Sequence, residues 1–281
     1  MSILMSGRVQ MVTELHRRTF RSGSRTYFIS SRFFPRAVRD DVFALYGFVR
    51  RADDYVDSIP QDSDGFVAFR ERYERAARGN PADDPLIDSF VELSERKNFD
   101  PEWTKAFLHS MELDLTKQVH ATIEESLTYI YGSAEVIGLF MAKILDLSNE
   151  ASESARMLGR AMQFINFIRD IAEDTRLGRT YLPISECPLK SLSESEVRES
   201  PEEFRIFVSN QLKRYSEWQE RAEAGYRYLP HRYLVPIRTA GDMYKWTARK
   251  IAADPFVVFD RAVKPGRLRI VTRALKNMIQ S

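Results

Sequence analysis

The chain has 281 residues, 43% of them hydrophobic, enough to build a sizeable core without disulfides or structural metal in one large domain or two small ones. Its 42 basic and 40 acidic residues leave a formal net charge of +2, which argues against a general nucleic-acid binder with a basic face. Cys187 is the single cysteine, so an internal disulfide and a cysteine-built zinc site are excluded, and the four histidines (His16, His109, His120, His231) include no pair at helical ligand spacing.

The opening stretch MSILMSGRVQMVTELHRR has no sustained apolar run ending in a cleavage site, so no signal peptide is expected. Pro35 is placed to open a long helix, AVRDDVFALYGFVRRADDYVD, that stops near Ser58–Pro60. An amphipathic piece through FVAFRERYERAARG ends at Gly79–Asn80–Pro81. Pro85 starts the next helix, and Pro101 another that is expected to continue past Met111 towards His120. No proline interrupts the chain between Pro101 and Pro183, which suits long core helices; the apolar run VIGLFMAKIL falls short of the roughly 18 residues a membrane span needs. After the loop around Gly178 and the turn ending at Pro188, two helices joined near Ser200–Pro201 are expected, then IRTAGDMYKWTARKIAADP and a basic end segment. Strand-like alternation is scarce and there is no repeat or low-complexity linker. The expectation is a single all-α domain over 1–281, with its core at about 12–276.

Two acidic columns stand out. Asn166, Asp170 and Asp174 recur every four residues and share an arc of about 90°, with Gln163 and Glu173 beside them and Phe164, Ile168 and Ile171 facing away. Alone, this reads as an ordinary solvated helix face. Asp53 and Asp57 are also four apart but share their side with Tyr46 and border Val49, so that face reads as covered. Like charges one turn apart on a covered face repel and lose hydration, and Arg50 compensates only in part. Magnesium, which takes carboxylate oxygens and keeps sites for water or phosphate, is the economical answer. Facing columns would hold Mg²⁺ against a diphosphate, with Arg50, Arg169 and Arg179 on the same phosphates.

The segments SGSRTYFISSRFFP, ALYGFVRRADDYVD, YIYGSAEVIG and FINFIRDIAEDTRLGRTYLP occur in the order typical of the squalene and phytoene synthase family. On them the chain resembles that family from about Phe20 to about Arg273. The resemblance implies an isoprenoid-synthase-type helical bundle with a central active-site cavity, and head-to-head joining of two identical prenyl diphosphates, C20 or C15. It implies Asp53 and Asp57 as the first metal-binding pair and Asn166, Asp170 and Asp174 as the second set. Arg50 and Arg169 resemble the family's diphosphate-contacting arginines, and Ser24 and Thr26 sit where a flexible phosphate-side loop is expected. Tyr131, Gln163, Tyr244 and Arg261 match cavity positions, Tyr131 among the catalytic ones, while Arg179 and Tyr181 belong to the loop after the second motif. The implied reaction ionises an allylic C–O bond, passes through a cyclopropylcarbinyl diphosphate, and is walled from water by apolar and aromatic side chains, most of the 18 Phe and 12 Tyr being core.

Phytoene formation needs no reductant, whereas squalene formation needs NADPH; Mg²⁺ is the implied metal, with Mn²⁺ as a substitute. The wording YGSAEVIGLFM is closer to bacterial and archaeal phytoene synthase-like sequences, so phytoene from two geranylgeranyl diphosphates is expected, the alternative being squalene or dehydrosqualene from two farnesyl diphosphates. The anchor that follows eukaryotic squalene synthases is not expected, and the protein is expected in the cytoplasm. Two further readings compete. Asp53–Asp57 spells DDxxD, as in chain-elongating prenyltransferases and terpene cyclases, but DIAED and the Asn166–Phe167 pair fit neither. Non-catalytic relatives have eroded aspartates, which here are intact. After Asp260 the chain carries Arg261, Lys264, Arg267, Arg269, Arg273 and Lys276 and no acid. That end reads as a solubilising tail, the alternative being peripheral attachment to the anionic inner face of a membrane.

Overall fold

Asp–Pro steps start two of the helices. Asp84 and Asp100 accept hydrogen bonds from the Leu86 and Glu102 amides, and Pro85 and Pro101 fill the first helical position, where a missing N–H costs nothing. Asp62 and Thr122 cap two more, through Gly65 N and Glu125 N. The computed structural model describes residues 14–280; the N-terminal stretch read above for a signal peptide lies, up to residue 13, outside them. Among the described residues there is no strand, only one isolated bridge between Val119 and Thr180, so the all-α expectation holds.

The helices run in order as α1 (Glu14–Gly23), α2 (Arg25–Ser31), α3 (Arg36–Asp57), α4 (Ser63–Ala77), α5 (Pro85–Arg96), α6 (Pro101–Thr116) and α7 (Ile123–Ile130). A π-helical turn, Tyr131–Glu135, leads into α8 (Val136–Ile144). Then come α9 (Ser152–Arg169), α10 (Ile171–Arg176), α11 (Glu194–Glu199), α12 (Pro201–Glu223), α13 (His231–Ala253), α14 (Val257–Asp260) and α15 (Arg267–Gln280).

Two helices organise the core. Around α3 pack α1, α4, α5, α6 and α8, burying Phe48, Phe66, Phe69, Phe90 and Phe107, with Phe48 stacked on Phe90 at 4.0 Å. Around α9 pack α7, α8, α12 and α13, burying Phe164, Ile165, Ile168, Phe204 and Phe207. Each such side chain contributes roughly 1.5–3 kcal/mol. Helix α8 touches both organisers and holds them side by side.

That contact is close because it is made by glycine. A Cβ on Gly138 would come within 2.1 Å of the Ala155 carbonyl oxygen, and one on Gly159 within 2.2 Å of the Ala134 carbonyl oxygen. Both obstacles are backbone and cannot swing aside. Gly159→Ala is therefore expected to destabilise by about 1–3 kcal/mol. Thermal unfolding would show it as a drop in Tm of about 2–4 °C for each kcal/mol.

Several local expectations change. Helix α6 stops at Thr116 rather than running towards His120, because Lys117–Thr122 peels away to pair with the loop after α10: Thr180 N donates to Gln118 O and His120 N to Thr180 O, both at 2.8 Å. The proline-free stretch from Pro101 to Pro183 is not one run of long helices; it breaks at that loop, at the left-handed Asp146 (φ 53°) and at Asp170. Ser24 and Thr26 are not on a loop: Ser24 is the one-residue junction between α1 and α2 and caps α2 through Tyr27 N, and Thr26 lies in its first turn. The basic end segment is the ordered helix α15, not a tail.

Candidate active site

The first acidic column sits at a helix C-terminus, and the second runs from the end of α9 into the first turn of α10. Asp53 and Asp57 occupy the last two turns of α3, which has no basic residue in its final turn, and Asp170 and Asp174 follow the end of α9. Helix C-termini carry the negative end of the backbone dipole, so carboxylates there raise the local negative potential. Asp170 (φ −101°, ψ 15°) breaks α9 from α10, yet Asp170 N still donates to Asn166 O and Asp174 N to Asp170 O, at 2.8 and 2.9 Å. The column therefore survives the break.

The columns meet. Arg179, in the loop after α10, pairs with Asp57 Oδ1 at 3.2 Å and donates to the Val56 carbonyl at 2.6 Å, at the end of α3. Burial pushes the Asp174 carboxyl up to about 8, helped by Asp170, Glu173 and, across the gap, Asp57, against the pull of Arg179. Burial likewise pushes Asp53 up to about 8, with Asp57 adding to the rise and Arg50 opposing it. Arg50 bonds to Asp54 at 2.7 Å and reaches Asp57 at 3.9 Å, and Arg169 Nε bonds to Asp170 Oδ1 at 2.7 Å. The second column is neither fully washed nor dry: Asn166, Asp170 and Asp174 are half-buried where α10 packs on α9 and α14, and Glu173 stays exposed.

A cavity of about 900 Å³ runs between α3 and α9. Its wall on α3 extends from Val42 to Asp53 and on α9 from Ser154 to Arg169, about 16 and 22 Å of helix. Arg50, Asp53, Gln163, Asn166 and Arg169 make one end polar, while Val42, Leu45, Ile137, Met141 and Leu158 keep the rest apolar. Six aromatics reach it (Phe20, Tyr27, Phe34, Tyr46, Tyr226, Tyr244).

The polar end has unmet demand. Asn166 Oδ1 is buried with no hydrogen-bond partner, and Ser133 Oγ and Tyr226 OH are equally unpartnered on the cavity wall. Among the described residues no three His, Cys, Asp or Glu side chains are close enough to hold a metal ion by themselves. An oxygen-rich site that is short of ligands suits a hard cation completed by substrate oxygens.

The squalene/phytoene synthase profile matches residues 20–269. The chain belongs to this family. It is 27% identical to the 15-cis-phytoene synthase of Synechococcus elongatus, over 84% of this chain and 82% of that one. It is 30% identical to the phytoene synthase of Rhodobacter capsulatus, over 85% and 73%. Among solved structures, a dehydrosqualene synthase in complex with ligand superposes with a TM-score of 0.82 at 18% identity, covering 95% of each chain. Squalene synthase HpnC from Alicyclobacillus acidocaldarius gives 0.76 at 21%, covering 86% and 94%. These two likenesses establish the isoprenoid-synthase fold, and the family assignment disposes of the cyclase and chain-elongation readings.

Within this squalene/phytoene synthase family member, the expected site residues divide. Ser24, Thr26, Arg50, Asp53, Gln163, Asn166, Arg169 and Tyr244 line the cavity, while Asp57 and Arg179 line the adjoining cleft. Tyr131 does not reach either. It is 37% exposed, with Arg156 over its ring at 5.6 Å, because two residues along a helix it faces nearly opposite to the buried Tyr129. The tyrosine of that segment on the site side is Tyr129. Arg261 is exposed outside the cavity, and Ala262, Lys264 and Pro265 form the wall in its place. Tyr181 is buried behind the site.

Asp114 is the residue the sequence reading missed. Its buried carboxylate accepts from Tyr129 OH at 2.7 Å and Tyr181 OH at 2.6 Å, while Gln61 bonds its carbonyl at 2.9 Å and that of Val56 at 2.8 Å. It thereby ties α6 to the ends of α3 and α10, and burial lifts it to about 6 against the two phenols. The signal was present: Phe107, Met111 and Asp114 share one face, so an acid occupies an apolar-period position of α6.

Proposed function

We propose that the protein joins two geranylgeranyl diphosphates head to head, forming phytoene and releasing two diphosphates. The observation that carries this is that Asp53 of one acidic column and Asn166 of the other line the same polar end of an otherwise apolar cavity, with Asp57 acting on Asp174 beside it. The resemblance to two proteins named phytoene synthase supports the C40 product.

Asp53, Asp57, Asn166, Asp170 and Asp174 would hold Mg²⁺, and Asn166 Oδ1, buried and unpartnered, fits such a ligand. When bound, Mg²⁺ supplies positive charge to the leaving diphosphate oxygens. Arg50, Arg169 and Arg179 bind the same diphosphates, with the Ser24 and Thr26 hydroxyls at the junction of α1 and α2 beside them. The prenyl tails lie along α3 and α9 away from that end. There Val42, Leu45, Ile137 and Met141 enclose the tails and keep bulk water out of the cavity at whose polar end the allylic cation forms when the C–O bond breaks. The second chain's double bond attacks that cation and a proton is lost, giving a cyclopropylcarbinyl diphosphate. Loss of its diphosphate, ring rearrangement and loss of a second proton complete the triene. No hydride enters, so NADPH is not consumed.

Product analysis tests this directly. Incubation with C20 diphosphate and Mg²⁺ is expected to give a C40 hydrocarbon in equal yield with and without NADPH. A C30 product from C15 diphosphate alone, a yield that depends on NADPH, or diphosphate release with no head-to-head product would overturn it.

A further inference from the structure

Helix α15 has two unlike faces. On one, Ile270, Ala274 and Asn277 are fully buried against α13 and α2, and Arg273 Nε is bonded to Asp242 at 2.6 Å. On the other, Leu268 (82%), Val271 (39%), Leu275 (51%), Met278 (52%) and Ile279 (85%) stand exposed. Their spacing of three and four residues puts them in one stripe. Five of the twelve exposed large hydrophobics among the described residues lie on this one helix.

The surroundings are basic. Arg267 flanks the stripe on one side, Arg269 and Lys276 on the other, with Arg269 lying over the Trp246 ring at 4.8 Å. Asp242, the single acid of α13 and α2 together, is buried and already paired with Arg273 and Lys245. From His231 to the end, 11 Lys and Arg stand against 3 Asp, although the whole chain carries only +2. A second copy would bring the same charges against each other. An apolar stripe between basic flanks is complementary to a surface with negative headgroups over hydrocarbon.

We propose that α15 docks the protein in the plane of an anionic lipid bilayer, with its Leu268–Ile279 stripe in the acyl boundary and Arg267, Arg269 and Lys276 at the headgroups. The root of the helix, Lys264 and Pro265, is part of the cavity wall, so docking sets the cavity against the membrane. In that respect the inference rests on the proposed reaction, whose uncharged C40 product needs a route into lipid rather than water.

Vesicle co-sedimentation without substrate tests the docking separately from the reaction. The wild-type chain is expected to bind vesicles containing phosphatidylglycerol, to bind phosphatidylcholine vesicles at least tenfold less, and to be released by salt. The exposed double variant Leu268→Ser/Ile279→Ser is expected to fold with unchanged Tm and lose binding by about tenfold or more. Arg267→Glu/Lys276→Glu is expected to remove the lipid-charge and salt dependence. Turnover in detergent is expected to persist in both variants. Failure of wild-type binding to anionic vesicles, or equal binding by the variants, would overturn the inference whatever the enzyme makes. So would a dimer of the wild type that Leu268→Ser/Ile279→Ser dissociates, since a second copy would then be the occupant.

Discussion

Asp53→Asn is expected to cut prenyl diphosphate turnover by about 10²–10³-fold while making the metal-free protein more stable at pH 8 and above. The two effects share one cause. Asp53 is desolvated beside Asp57, at the negative end of α3, and its carboxyl is pushed up to about 8. Ionising it there opposes folding, so a neutral amide relieves strain that the carboxylate imposes. The carboxylate is nonetheless what would complete the metal and diphosphate site. The measurement is diphosphate release over a range of Mg²⁺, paired with thermal unfolding in EDTA between pH 6 and 9. The Tm advantage of the variant is expected to grow from pH 6 to about 8 and then level off, because in that range wild-type Asp53 must take up a proton to fold and above it must fold charged. Loss of activity with a lower Tm throughout would instead mark Asp53 as a residue of simple structural importance.

In the wild-type protein without metal, these carboxylates are expected to lower stability steadily as pH rises from about 4 to about 8, with little further change above that. Asp53 and Asp174 are both raised to about 8, so each favours the folded state fully below the ordinary carboxylate range near pH 4 and loses that contribution as it ionises. At the acid end Asp242 acts in the opposite sense: against burial, which raises it, Arg273 and Asn277 hold it below the usual range, and its contribution is lost as pH falls below about 4. Added Mg²⁺ is expected to reverse the alkaline loss, raising Tm by several degrees at pH 8.5 and little at pH 6. Calorimetry in buffers of different ionisation enthalpy would register protons leaving Asp53 and Asp174 on metal binding at pH 7. A Tm at pH 8.5 that is indifferent to Mg²⁺ would contradict the proposed metal role of these carboxylates.

Much of the fold was legible residue by residue. Pro35, Pro85, Pro101 and Pro201 mark helix starts because a proline costs no hydrogen bond at the first turn, and all four predicted starts stand within a residue. The column Asn166–Asp170–Asp174 was visible because four-residue spacing is a property of the helix itself, and it outlasts the break at Asp170 through local hydrogen bonds. The errors share a cause. Tyr131 was taken from the resemblance, and which tyrosine of YIY faces inward depends on how α7 packs against α6 and α9, which the segment itself does not contain. Asp114 was passed over because its meaning depends on phenols 15 and 67 residues away. The C-terminal end read as a charged tail because its apolar stripe matters only once Ile270, Ala274 and Asn277 have been spent on burial.

The sequence alone determined which segments are helical and that carboxylates crowd the ends of two of them, since backbone hydrogen bonding, capping and side-chain period act over a few residues. Whether those ends meet was decided by tertiary structure. Asp57 and Arg179 are 122 residues apart, and they converge because glycine lets α8 seat α3 and α9 side by side while Asp114, Gln61 and Arg179 fasten the ends of α3, α6 and α10. Packing against distant chain also took Asp53 and Asp174 partly out of water and raised their carboxyls to about 8. Neither the contact nor the loss of water is a property of any local stretch, so no window of sequence contains it.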